Sequence, residues 1–241
     1  MSPLERRPAA GTPEAQAQLG LAYRVLEPQG GAEPRPAGGR HPTALLLHGM
    51  GGDERVMWVF APQLPPHWLL VAPRAPLPAA QGGWAWLPRQ PDEWPDLARF
   101  EAPAATLDRF LRGLPEHHPV DLNRLLLIGF SQGAATAFAL TLRLAGQGPA
   151  APRPRGIASL VGFVPDGALE AFPSQAPLAG LPTFMAVGQR DPLVPLAHGR
   201  AAAETARALG ADLRYHEYEA GHKMPARGML DLAEWCRGLG I

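Results

Sequence analysis

From residue 43 onward, short apolar runs alternate with amphipathic stretches, and that alternation admits few architectures. Residues 43–47, 68–72, 125–130, 157–163, 183–187 and 213–218 read as strands. Residues 53–60, 104–114, 132–144, 196–209 and 225–239 read as helices. In the second of these, Leu107, Phe110, Leu111 and Leu114 fall at i, i+3, i+4 and i+7 and form one apolar stripe. Strands that are apolar along their whole length need cover on both faces, so the pattern predicts an α/β fold with a mostly parallel central sheet between helices. Prolines gather at 62–66, 73–78, 88–95 and 149–154 and are absent from 43–61, 120–148 and 196–224, as punctuation between regular elements should be. A chain of 241 residues in this class is expected to be one domain, here 19–241, with an edge strand over 19–26. Residues 1–18 are polar or rich in proline and glycine and read as a flexible tail.

Charge and cysteine usage narrow the function classes. Lys and Arg total 22 against 22 Asp and Glu, and no basic block occurs, so nothing points to nucleic acid or an anionic membrane as partner. No apolar run is long enough for integral membrane association, and the first residues lack the apolar core of a secretory signal. Cys236 is the sole cysteine, which excludes an intrachain disulfide and suits a reducing cytoplasm. Beside Trp235 on a C-terminal helix, it reads as a packed core thiol rather than a nucleophile. No histidine or carboxylate set has metal-ligand spacing, so the expectation is no metal and no cofactor. The sequence does not give the oligomeric state.

One pentapeptide carries chemistry. Gly129-Phe130-Ser131-Gln132-Gly133 follows the apolar run Leu125-Leu126-Leu127-Ile128 and precedes the small-residue helix beginning Ala134-Ala135. A serine between two glycines on a tight strand-to-helix turn presents its hydroxyl at the top of a sheet, within reach of a base and of oxyanion donors. With 27 glycines and 4 serines in the chain, chance supplies about 0.05 such patterns before the flanking elements are required. A serine nucleophile needs a base, and the base needs an orienting acid. Asp191, in Gly188-Gln189-Arg190-Asp191-Pro192, follows the strand 183–187, and His222, in Gly221-His222-Lys223, follows 213–218. Asp166 in Val164-Pro165-Asp166-Gly167 is the rival acid and also fits a plain turn. His216 lies within a strand, His117 and His118 suit a helix C-terminus, and His198 sits on a helix, so none is the expected base. Oxyanion donors are expected at the main-chain N–H of Gln132 and, in the glycine-rich loop Leu47-His48-Gly49-Met50-Gly51-Gly52-Asp53, at that of Met50. The same loop is also a strand-to-helix turn with Asp53 as N-cap.

Taken together, Leu47-His48-Gly49-Met50-Gly51-Gly52-Asp53, Gly129-Phe130-Ser131-Gln132-Gly133, Gly188-Gln189-Arg190-Asp191-Pro192-Leu193-Val194-Pro195 and Gly221-His222 resemble the phospholipase/carboxylesterase family of α/β-hydrolases, which includes acyl-protein thioesterases. The resemblance implies a triad of Ser131, Asp191 and His222 and an oxyanion hole at Met50 and Gln132. Gly82-Gly83-Trp84-Ala85-Trp86 is similar to the stretch before that family's substrate groove, so Trp84 and Trp86 are expected in the pocket wall, with packing beneath the long 73–102 loop as the alternative. The 164–181 connection is too short for a large lid. The expected activity is hydrolysis of small carboxylic esters through an acyl-enzyme. A lysophospholipase, an acyl-thioesterase, and a non-catalytic binding protein of the same fold are the alternatives.

Overall fold

The computed structural model describes residues 7–29, 39–90, 94–148 and 150–241. Its elements in chain order are β1 (Ala9–Ala10), α1 (Pro13–Leu19), β2 (Tyr23–Leu26), β3 (His41–Leu47), β4 (Leu69–Pro73), β5 (Leu77–Pro78), β6 (Trp84–Ala85), α2 (Glu101–Gly113), β7 (Val120–Phe130), α3 (Gln132–Gly146), β8 (Gly156–Leu160), α4 (Ala168–Ala171), β9 (Pro182–Gly188), α5 (Leu196–Ala208), β10 (Asp212–Tyr218) and α6 (Ala226–Gly238). Eight strands form one sheet in the order β1-β2-β4-β3-β7-β8-β9-β10. From β4 to β10 every pairing is parallel, while β1 on β2 and β2 on β4 are antiparallel. β5 and β6 make a separate two-stranded ribbon.

Alternate residues along each central strand feed two cores, as a pleat buried on both faces requires. Leu45, Leu47, Leu125 and Leu127 pack with α2, α3 and α5 on one face. Leu46, Leu126, Ile128 and Phe184 pack on the other with Phe60, Trp68 and, from α6, Leu232 and Trp235. Each such fully buried large side chain contributes about 1.5–3 kcal/mol relative to exposure. The predicted stripe Leu107, Phe110, Leu111 and Leu114 is completely buried against α3 and the sheet.

Three expectations are corrected. Residues 9–18 are not a loose tail: the Thr12 hydroxyl caps α1 by accepting the Ala15 N–H at 3.2 Å, Gly20 ends the helix at φ 74°, and Ala15 and Leu19 enter the core. The strand foreseen over 19–26 is confined to Tyr23–Leu26, and β1 pairs along its outer side. The helix foreseen over 53–60 is a 3-10 helix, Val56–Gln63, because the Asp53 carboxylate takes the Arg55 N–H at 2.8 Å and delays the start, while Pro62 denies a donor at the end.

Candidate active site

The site lies where strands β3, β7, β8, β9 and β10 end. At the close of β7 the chain turns so sharply that Ser131 sits at φ 53° and ψ −119°, a region that costs a residue with a Cβ of order 1–3 kcal/mol. Glycine on either side permits it: a Cβ on Gly129 would overlap the Ala134 backbone, and one on Gly133 would overlap the Leu47 carbonyl. Main-chain bonds hold the turn, with Ser131 N–H on the Leu160 carbonyl at 2.9 Å and Ala134 N–H on the Ser131 carbonyl at 2.9 Å. Val161, one residue past β8, is the other non-glycine residue at positive φ (45°) among those described.

Asp191 and His222 come from the loops after β9 and β10. The Asp191 carboxylate is almost wholly buried; its Oδ1 accepts the main-chain N–H of Leu193 at 2.8 Å and of Val194 at 3.0 Å. Its Oδ2 stands 2.7 Å from His222 Nδ1. An ionised carboxylate only accepts, so Nδ1 carries the proton and donates it, leaving the lone pair of Nε2 for the groove. The two loops touch: a Cβ on Gly188 would overlap the Gly221 carbonyl, so close approach is built into that position. The His222 ring meets Phe130 edge-on, centroids 5.3 Å apart, beside Ser131. Ser131 and His222 line one groove of about 350 Å³. No hydrogen bond joins Ser131 Oγ to His222 here, a looseness common in sites without substrate.

The two residues expected to supply oxyanion donors line the same groove. Gln132 opens α3 and Met50 lies in the loop after β3; among the described residues, neither main-chain N–H has an acceptor. The Met50 loop abuts the serine turn, since a Cβ on Gly49 would stand 3.2 Å from that of Ser131. Below, the loop is pinned by His48, which is fully buried: the main-chain N–H of Ala75 donates to Nε2 at 3.0 Å, so Nδ1 is protonated and donates to the Gly49 carbonyl at 2.7 Å. Burial holds the His48 pKa below the ordinary histidine value, partly offset by its Gly49 bond and the nearby Asp53 and Glu54.

The tryptophans expected in the pocket wall do not line it. Trp86 is 1 % exposed, and its indole N–H donates to the His48 carbonyl at 2.8 Å. The Gln132 amide binds its main chain, accepting the Trp86 N–H at 2.8 Å and donating to the Leu87 carbonyl at 2.9 Å. Trp84 exchanges main-chain bonds with Gly51 and Gly52 and takes the Arg74 guanidinium over its ring at 4.2 Å. Both support the Met50 loop from behind. The groove wall instead holds Trp94, stacked on His198 at 4.2 Å and packed on Phe163 at 4.5 Å. The sequence signal for Trp94 was only its place in the long 73–102 loop. Of the rivals, Asp166 is exposed and bridges Asp96, His216 stacks on Tyr218, and His118 bonds the Tyr23 hydroxyl. Burial pushes the Cys236 thiol up to about 12, in keeping with a core role. Among the described residues, no helix is long and apolar enough to cross a membrane.

A parallel-rich sheet with a strained serine at a strand-to-helix turn, followed in chain order by an acid and a histidine on later loops, defines an α/β-hydrolase. The chain belongs to the phospholipase/carboxylesterase family, whose profile matches residues 34–238. It is 27% identical over 195 residues to acyl-protein thioesterase 1 of Debaryomyces hansenii, a match covering 72% of this chain and 80% of that protein. Among solved structures it is similar to esterase PE8, with a TM-score of 0.75 and 26% identity over 91% of this chain and 99% of the other. It also matches the fold of the Bacillus cereus carboxylesterase, with a TM-score of 0.76 and 20% identity over 94% of this chain and 98% of that one. Family membership indicates a hydrolase of esters or thioesters.

Proposed function

We propose that this chain hydrolyses small carboxylic esters through a covalent acyl-enzyme on Ser131. The observation that carries the reading is the Asp191–His222 hydrogen bond beside a groove shared by Ser131, His222 and two main-chain N–H groups without an acceptor among the described residues. Nε2 of His222 takes the Ser131 proton as Oγ attacks the carbonyl carbon, and the buried Asp191 carboxylate stabilises the imidazolium. The tetrahedral oxyanion accepts from the N–H groups of Met50 and Gln132, each such donor being worth about 2.7–4 kcal/mol in the transition state. Collapse breaks the bond to the leaving alcohol, which takes the proton from His222. Water then gives its proton to Nε2, attacks the acyl carbon, and a second collapse releases the carboxylic acid and restores Ser131. Trp94, Phe163, Leu193 and Val194 offer an apolar wall suited to a short acyl or alkyl group, and the 164–181 connection carries only the four-residue α4.

Thioester hydrolysis by the same steps is the second reading, since the Debaryomyces hansenii relative is named a thioesterase. The discriminating experiment is pre-steady-state release of 4-nitrophenol from 4-nitrophenyl acetate, with a thioester run in parallel. A burst close to one equivalent per chain, lost in Ser131→Ala, is expected; steady hydrolysis by Ser131→Ala at the wild-type rate would defeat the acyl-enzyme.

A further inference from the structure

Building on the ester-hydrolase reading, we propose that the substrate carries an anionic group, a carboxylate or a phosphate monoester, selected by Arg99 and Arg89 on the groove wall. The same groove also has polar lining: Gln81, Gln90, Arg89 and Arg99. None of the described lining residues is acidic. Asp191 lies behind His222 with both oxygens hydrogen-bonded and is not part of the groove lining.

Several arginines elsewhere in the molecule meet carboxylates. Arg112, Arg124 and Arg227 pair with an aspartate within 2.8 Å, and Arg200 pairs with Glu217 at 2.8 Å. Neither Arg89 nor Arg99 has a carboxylate within 4.0 Å among the described residues. The nearest acid in sequence to Arg99 among those described, Asp96, spends Oδ1 on the Arg99 main-chain N–H at 3.0 Å.

Arg99 is also held in place. Its Nη2 donates to the Pro88 carbonyl at 3.2 Å, and the preceding residue, Leu87, is tied by its carbonyl to the Gln132 amide at 2.9 Å. The guanidinium thus stands one residue along from the segment clamped by the expected oxyanion donor, and among the described residues its side chain has no other hydrogen-bond partner. A guanidinium fork matches the two oxygens of a carboxylate or phosphate, and two such cations at one small groove draw anionic esters to it.

Matched pairs of esters test this. Monoethyl adipate against ethyl hexanoate places the charge on the acyl side; 4-acetoxybutyrate against butyl acetate places it on the alcohol side. Initial rates by pH-stat at low ionic strength should give at least one pair in which the anionic ester has about tenfold higher kcat/KM, mostly through KM. High salt should shrink that preference. Arg99→Gln, and the exposed Arg89→Gln that keeps the Pro88 bond, should each lower the anionic-to-neutral ratio severalfold, with Arg99→Lys recovering part of it. Neutral esters matching or outrunning anionic ones in both pairs would overturn the proposal and leave the hydrolase reading standing. A preference unaltered in the double Arg89→Gln, Arg99→Gln variant would overturn the assignment of these residues. No hydrolysis of any of the four esters by folded protein would remove the ester-hydrolase reading itself.

Discussion

Ser131 is held at φ 53° by a turn whose flanking glycines, Gly129 and Gly133, pack directly against neighbouring backbone. Removing the orienting acid while keeping its shape, Asp191→Asn, should leave the fold intact and lower kcat by about 10⁴, since an amide no longer enforces the Nδ1–H tautomer; steady-state kinetics beside a circular dichroism spectrum checks this. Trp86 is a positioning residue. Trp86→Phe keeps the aromatic volume but strips the indole N–H from the buried His48 carbonyl, which should cost about 1–3 kcal/mol in a urea titration. Because that carbonyl precedes the Gly49–Met50 peptides, kcat should fall with a smaller change in KM. The pairing of Asp191 with His222, and their shared groove with Ser131, were legible because chemistry restricts the residue types and chain order such a site can use. Trp84 and Trp86 were misplaced because the side of a loop on which an aromatic packs is decided by partners far away in sequence, here His48 and Arg74.

At the level of elements, α1 shows what patterning alone misses. Its start and stop signals, Thr12-Pro13 and Gly20, are present in the sequence, but seven residues carry too little apolar surface to announce that they dock. Leu19 fills the space beside Gly113, where a Cβ would collide with it. Leu19→Ala should therefore cost about 2–5 kcal/mol, measurable as a lowered urea midpoint with an unchanged slope. Helices α2 and α3 are joined by Asp108, which binds Arg112, Arg143 and Gln147. Burial opposes its charge, yet those bonds outweigh it and hold the carboxyl below the usual range. Central strands and α2, α3, α5 and α6 were legible to within a few residues because their periodicity is strong. The 3-10 helix Val56–Gln63 was not, because one side-chain bond from Asp53 redirects its first turn.

Acid stability is a property of the whole molecule, and its two steps are separable. His48 and His118 are both depressed by burial, so the unfolded chain takes up their protons first. Their contribution is complete above about pH 6.5 and is lost as pH falls through their lowered folded values. Asp108 and Asp231 are also depressed, in each case by hydrogen bonds that overcome burial, but their contribution persists until pH falls below about 4. Urea midpoints should accordingly begin to drop below about pH 6.5 and drop further below about 4, and His48→Gln should flatten the first drop; a wild-type midpoint that stays constant until pH falls below about 4 would contradict the assignment. The central claim is tested most directly by intact-protein mass spectrometry after treatment with a fluorophosphonate. One adduct per chain, mapped to Ser131 and suppressed in both Ser131→Ala and His222→Ala, is the predicted result. A folded wild-type protein that stays unmodified, or one labelled at another residue, would contradict it.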